Sequence, residues 1–409
     1  MSAPALAAGP VTRPGGARFP QRPPPRPRLL PARAWRRDAR VTRGRRRRGC
    51  APAAAHAVAG AALPSSRSIV EAQRTYPTLG RSGLKVAPLW LGTMMFGDQT
   101  DAAEAARIVD SARGASINGI DTADVYAKGE SERIVGRLIA PDRERWVLAT
   151  KVANPMSDAP NDRGLSRRWI VRAVEASLRR LATDWIDVYY LHRDDETTPM
   201  EESLAAMARL IESGKVHYFG VSNYSAWRIA EMVALCRVMG VPQPIVCQPP
   251  YNAMTRGVEA ELLPCCAANG VGVVSYSPLA RGVLTGKYKP AEAPAAGTRA
   301  ARADRRLMQT EFRPESLALS QQFAAHAARR GMSASQFATA WVLHNRWISG
   351  VIAGPRTFAQ WDDYVGALAL LPAAEDEAFI DGLVPPGHAS THGYTDPLYP
   401  VTGRVPRTP

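Results

Sequence analysis

Cysteine is scarce. There are five in 409 residues, an odd count, and no two stand at C-x-x-C spacing. A disulfide framework or a zinc site needs paired, regularly spaced thiols, so neither is expected and a reducing compartment is favoured. Cys50, Cys236, Cys247, Cys265 and Cys266 therefore read as small buried hydrophobes. No apolar run reaches the roughly 18 residues that a membrane helix requires, so no span is expected. No G-x-G-x-x-G follows an early strand, which removes the fingerprint of a doubly wound dinucleotide-binding sheet. Hydrophobic residues still make up 45% of the chain, enough to build a large core.

Acids are scarce in one stretch, residues 1–73, which also holds no lysine. Residues 1–73 hold 15 of the 52 basic residues, all of them Arg, and two of the 37 acids, Asp38 and Glu71. The remainder holds 37 basic and 35 acidic residues, so most of the net charge of +15 lies in the first 73 residues. The body is nearly neutral, and the high charge carries no argument for a nucleic-acid partner there. The segment QRPPPRPRLLPARAWRRDARVTRGRRRR has too few apolar residues to form a core, and disorder is expected over residues 1–73. Its composition suits an over-extended start with the protein proper beginning near Tyr76, or a targeting peptide for an organelle or export. A basic arm for nucleic acid is disfavoured, because only Phe19 and Trp35 stand among the arginines to stack on bases. A cytoplasmic location is the expectation for the body.

From Tyr76 onward, short apolar runs alternate with amphipathic segments. Strands are expected at Val86–Leu91, Gly119–Asp121, Trp146–Lys151, Ile186–Leu191, Val216–Val221, Ile245–Gln248, Val271–Tyr276 and Ile348–Ala353. Helical spacing lies between them, for example Val171, Val174, Leu178 and Leu181 within Ser166–Leu181. Ser333–His344 reads as an extra helix, residues 287–314 as a long lid-like loop, and Phe358–Leu368 as the last helix. Eight repeats of strand and helix predict a closed (β/α)8 TIM barrel of the α/β class over residues 74–385, with a Pro/Gly-rich tail at 386–409.

Barrel enzymes carry their chemistry at the C-terminal ends of the strands, where the loops converge. Here those ends hold Asp121 with Tyr126 just beyond, then Lys151, His192, Ser222-Asn223, Gln248, Tyr276-Ser277, and Gly354 followed by Arg356. A phenol is a weak acid at neutral pH, and a nearby ammonium lowers its pKa. Asp121 would hold Lys151 charged, and His192 would bond a substrate oxygen. Together these four suit general acid catalysis on a developing alkoxide. Ser222, Asn223 and Gln248 suit a carboxamide, Tyr276 offers a flat ring, and Arg281, Arg356 and Gln360 suit phosphate or adenosine. The helix starting at Phe358 adds an N-terminal anion site. Trp90, Met95, Phe96 and Asn154 are expected to shape the pocket. No metal site is expected.

The motifs TLGRSGLKVAPLWLGTMMFG (78–97), GIDTADVY (119–126), LATKV (148–152), YYLHR (189–193), GKVHYFGVSN (214–223) and YSPLARGVLTGKY (276–288) resemble the aldo-keto reductase family. The likeness is to its bacterial-type members, similar to the potassium-channel β-subunit branch. The resemblance implies an NADP(H)-dependent oxidoreductase without a Rossmann domain, reducing an aldehyde or ketone by hydride transfer. It implies Asp121, Tyr126, Lys151 and His192 as the catalytic set, with Tyr126 as general acid. It implies Ser222, Asn223 and Gln248 on the nicotinamide carboxamide and Tyr276 stacked on its ring. Ser277, Leu279 and Arg281 fall at the pyrophosphate, and Gly354, Arg356 and Gln360 at the adenosine end. Ala127 stands where many relatives have Gly, and Asp363-Tyr364 replaces a common Glu-Asn pair. The branch also admits a redox-sensing regulatory subunit that holds NADPH and turns over slowly. The partner expected is a small carbonyl substrate; oligomeric state is not legible.

Overall fold

The computed structural model describes residues 76–401. The expectation for residues 1–73 lies outside them. Eight parallel strands close into a barrel in chain order: β1 (Leu89–Gly92), β2 (Gly119–Asp121), β3 (Val147–Val152), β4 (Ile186–Leu191), β5 (Val216–Ser222), β6 (Val246–Gln248), β7 (Gly272–Tyr276) and β8 (Gly350–Ala353). β1 pairs with β8 through Leu89↔Val351 and Leu91↔Ala353, which completes the ring. Short strands buried on both faces suit this closure, because helices cover the outside and side chains fill the inside.

Side chains alternate along each strand. Leu89, Leu91, Leu148, Tyr189, Leu191, Phe219 and Val221 join the layer between barrel and helices. Trp90, Val147, Ala149, Val188, Tyr190, Val246, Val274 and Ile352 form a second, inner cluster, to which Leu79 and Val86 of the entering chain add. Val86 therefore fills the inner core ahead of β1 rather than starting the strand, which begins after Pro88. The same alternation carries the inner face upward to Gly92, Asp121, Lys151, Ser222, Gln248 and Tyr276 at the strand ends, and to His192 and Gly354 one residue past them.

The helices are α1 (Ala102–Gly114), α2 (Glu130–Ile139), α3 (Arg167–Leu181), α4 (Met200–Glu212), α5 (Ala226–Met239), α6 (Leu262–Asn269), α7 (Arg305–Thr310), α8 (Pro314–Arg329), α9 (Ala334–His344), α10 (Phe358–Gly366) and α11 (Ala374–Leu383). Local chemistry sets their ends. Asp101 and Ser166 accept from Glu104 N and Trp169 N, Ser333 and Gln336 form a capping box, and Gly240 and Gly270 close α5 and α6 in the left-handed region. Among the described residues no helix is long and apolar enough to cross a membrane.

Three expectations are corrected. Residues 287–314 contain α7, whose start Asp304 caps by accepting from Leu307 N. Helix α11 was not expected, although Glu375, Asp376 and Glu377 fill its first turn as favoured by the helix dipole. In α3, Val171 is exposed and Ile170 takes its place in the core, since Ile170, Val174, Leu178 and Leu181 form the inward stripe.

Trp90 fills the inner barrel because its neighbours lack side chains. A Cβ on Gly119 would lie 2.3 Å from Trp90 Cδ2, and one on Gly350 would lie 3.0 Å from Trp90 Cδ1. Gly119→Ala is expected to destabilise the fold by about 1–3 kcal/mol, the range for overpacking. Gly114→Ala, whose new Cβ meets nothing within 4 Å, should stay within about 0.5 kcal/mol of the parent or gain stability. Urea midpoints of the two variants check this, and equal midpoints contradict the seat assigned to Trp90.

Candidate active site

Three adjacent strand ends build the centre of the site. Lys151 Nζ donates to Asp121 Oδ1 at 2.5 Å, to the Thr122 carbonyl at 2.7 Å and to Tyr126 Oη at 3.2 Å. All three ammonium donors are thereby used. Asp121 Oδ2 accepts from Gln248 Nε2 at 2.9 Å, across the barrel from β6. Lys151 is fully buried behind the cavity wall, and Tyr126 stands in front of it. His192 meets Tyr126 edge-on, with ring centroids 6.1 Å apart. Asn154 Nδ2 lies 3.0 Å from His192 Nδ1. An N–H donated there leaves the imidazole proton on Nε2.

Tyr126 leaves β2 through a tight turn. Ala127 (φ 46°) and Lys128 (φ 54°) are left-handed, and Gly129 follows at φ 90°. Left-handed backbone costs a non-glycine residue about 1–2 kcal/mol, so the packing of this turn must offset strain at Ala127 and Lys128.

The electrostatics differ from the simplest expectation. Burial raises the Tyr126 phenol above its ordinary value, and the opposing pull of Lys151 does not overcome it. The phenol therefore keeps its proton at neutral pH. Burial works against the Lys151 charge, but Asp121 and Tyr126 outweigh it and hold the ammonium above its ordinary value. Burial, then Lys151 and Arg193, hold His192 well below the usual imidazole range, so the ring is neutral.

The remaining predicted residues surround one cavity of about 460 Å³. Ser222 donates to the Gln248 carbonyl, and Asn223 donates to the His192 carbonyl and to Ser222 Oγ. Tyr276 Oη donates to Asn223 Oδ1 at 2.9 Å, which fixes the ring beside the amide. Ser277, Leu279, Arg281, Gly354, Arg356 and Gln360 also line the cavity. Some are already engaged: Gln248 holds Asp121, and Gln360 Oε1 accepts from the Arg356 backbone N–H. The start of α10 is not an open anion site, because Phe358 N–H donates to Glu104 and Gln360 N–H to Thr357.

Sequence reasoning missed four cations between residues 287 and 306. Lys287, Arg299, Arg302 and Arg306 line the cavity with Arg281 and Arg356. Apart from Arg306, none of the six makes a salt bridge among the described residues; Arg302 and Arg356 donate to the Gly297 carbonyl and Arg281 to Thr310. Burial and the charges of Arg356 and Arg299 lower the Lys287 amine. No periodic signal marks Lys287, Arg299 and Arg302, which lie in an irregular segment, and Arg306 lies in the short helix α7. The tail closes another side with Leu398 and Tyr399, held by Arg306 on Asp396 (3.1 and 2.5 Å) and by Arg313 over the Tyr394 ring at 3.7 Å. Met95 and Asn154 line the cavity as expected. Trp90 and Phe96 do not; they are buried in the inner and outer cores. Among the described residues no cluster of His, Cys, Asp and Glu suits a metal ion.

The model of the aldo/keto reductase family matches residues 88–384. A probable voltage-gated potassium channel subunit beta of Oryza sativa subsp. japonica is 38% identical over 307 residues, covering 74% of this chain and 93% of the relative. The uncharacterized oxidoreductase YrpG of Bacillus subtilis (strain 168) is 38% identical over 334 residues, 78% of this chain and 99% of its own. A putative voltage-gated potassium channel subunit beta of Schizosaccharomyces pombe is 35% identical over 317 residues, 75% of this chain and 89% of the relative.

A histidine held neutral in the fold has a linkage consequence. Below the unfolded value of about 6.5 the unfolded chain binds a proton that folded His192 refuses. Stability should therefore fall with acidification, with His192 contributing up to about 1.4 kcal/mol per pH unit. Denaturation of the parent and of His192→Gln at pH 7 and pH 5 checks this. The parent should lose more stability than the variant over that interval; equal losses contradict a neutral His192.

Proposed function

The chain belongs to the aldo/keto reductase family, and on that premise we propose that it reduces an aldehyde or ketone to an alcohol with NADPH, using Tyr126 as the proton donor. The observation that carries the reading is the single ammonium of Lys151 bonded to both Asp121 and Tyr126 at the cavity wall. The phenol is protonated at neutral pH, as a donor must be. His192, neutral and bearing its proton on Nε2, faces the same cavity and offers a second hydrogen bond to a carbonyl oxygen. A reduced nicotinamide, when bound, supplies the hydride to the carbonyl carbon. As negative charge grows on the oxygen, the Tyr126 proton passes to it. Lys151 then stabilises the phenolate, and Asp121 keeps the ammonium charged and in place. A donor of this kind contributes about 10²–10⁴-fold.

The cavity fits the cofactor by its chemistry. Asn223, with Ser222 and Gln248 around it, presents amide and hydroxyl groups beside the fixed ring of Tyr276. Five cations that make no salt bridge among the described residues, Arg281, Lys287, Arg299, Arg302 and Arg356, line the same cavity. Uncompensated like charges favour binding of a polyanion, and guanidinium matches phosphate geometry. Gln248 and Gln360 serve largely as positioning groups in this reading.

Tyr126→Phe should lower kcat by at least about 10²-fold, with NADPH affinity kept in a fluorescence titration. Near-normal turnover would sink the assignment. The cation cluster predicts that NADPH binds at least about tenfold tighter than NADH, since a charge-assisted bond to the extra phosphate contributes about 1.5 kcal/mol or more. Equal dissociation constants refute that preference. A second reading, a regulatory subunit that holds NADPH and turns over slowly, is favoured by the likeness to potassium-channel β subunits. Tight NADPH binding with negligible turnover on a broad carbonyl panel would select it.

A further inference from the structure

Two residues before Tyr126 the chain buries an acid that the reduction scheme does not use. Asp124 is 1% exposed, and neither carboxyl oxygen makes a hydrogen bond of good geometry. The Tyr189 hydroxyl on β4 is buried and unpaired in the same way. Burial, then Asp124 and Glu132, raise that phenol well above its ordinary value, so Tyr189 lies within the field of both acids.

Glu132 from α2 and Arg180 from α3 complete the cluster. Glu132 accepts from Thr150 Oγ1 and from Arg180 Nε, each at 2.6 Å. Arg180 directs its hydrogen bonds to Glu132 and Ser177 Oγ, and Asp124 receives none of them. Arg180 also braces the Tyr126 turn: a Cβ on Gly129 would lie 2.7 Å from Arg180 Cδ. The turn is held between Lys151 on one side and this cluster on the other. The charged and titratable groups acting on Asp124 are Glu132 from α2, Arg180 from α3, Lys151 from β3 and Tyr189 from β4, with Tyr126 on its own turn.

A second buried carboxylate with no hydrogen bond of good geometry is costly, and neutralisation by a proton is the cheaper state. Burial, then Glu132, push the Asp124 carboxyl up to about 8, against Arg180, the Val125 N–H and Lys151. Burial, then Asp121, raise the Tyr126 phenol most, and the charge of Asp124 adds a smaller push in the same direction.

We propose that the Asp124 carboxyl, sealed two residues before Tyr126 beside Glu132 and Tyr189, is a positioning residue for Tyr126, an acid whose charge state tunes how readily Lys151 can draw the proton off the phenol. The inference rests on Tyr126 as the proton donor. Neutral Asp124 leaves the phenol the stronger acid; ionised Asp124 holds its proton back, so reduction slows as pH rises through about 8.

Two measurements on the full chain need no turnover. Infrared titration of the wild type should show the carbonyl band of a protonated carboxylic acid at pH 7, absent from Asp124→Asn and lost on raising the pH to 9. No such band overturns the proposal. Ultraviolet titration of Tyr126, with Tyr126→Phe as the blank, should show the phenol ionising at lower pH in Asp124→Asn than in the wild type. An unchanged titration overturns it. In the reductase assay, the ratio of kcat at pH 9 to kcat at pH 7 should be roughly threefold higher in Asp124→Asn, as expected for removing one nearby buried charge. Equal ratios count against the proposal. A failed reductase reading removes only this last arm, so the two failures are distinguishable.

Discussion

The contact between Lys151 and Asp121 is the constraint on which the rest of the site depends. Both groups are buried, and taking two charges out of water costs several kcal/mol each before any return. Such a pair is tolerable only when every donor and lone pair nearby is matched. Lys151 therefore needs the Asp121 carboxylate, the Thr122 carbonyl and the Tyr126 hydroxyl together. Asp121 in turn needs the amide of Gln248. These partners come from β2, the turn after it, β3 and β6, so the pair can be satisfied only in a closed barrel of this register.

That requirement reaches outward. Register places Asp121 opposite Ala149, two residues before Lys151 on the same inner face. The Tyr126 turn has to return its phenol to the ammonium, and it does so through left-handed Ala127 and Lys128. The strain is held by packing on the far side, where Arg180 fills the space that Gly129 leaves. Thr150, next to Lys151 but facing outward, bonds Glu132 and ties this brace to the same strand. The turn that carries the phenol is thus contacted by Lys151 at Tyr126 and by Arg180 at Gly129.

Much of the site was legible because period-2 alternation and the topology of barrels point to the same positions. Once the strands are marked, the inner face of each end is known, and Asp121, Lys151, His192, Ser222, Gln248 and Tyr276 follow. The pairing of Asp121 with Lys151 beside Tyr126 was legible too, but several other partners were not. Gln248 reads as a ligand for a carboxamide, yet its amide holds a residue 127 positions away. Gln360 and the start of α10 read as anion contacts, yet local and long-range caps occupy their donors. Trp90 reads as a residue that shapes the pocket, but inward alternation and the two glycines beside it make it core. The cavity cations Lys287 and Arg299 carry no period at all, and only the path of an irregular segment brings them to the cavity.

The sequence by itself determined the number and order of the strands, the helix caps and the residues that stand at the strand ends. These depend on spacing and on side chains acting within a few positions of themselves. Tertiary structure alone decided that the Tyr126 phenol stays protonated despite Lys151, that His192 is neutral, and that Asp124 is sealed beside Tyr189 and Glu132. Proton affinity depends on burial and on charges within a few ångströms, and the residues supplying both are distant in the chain.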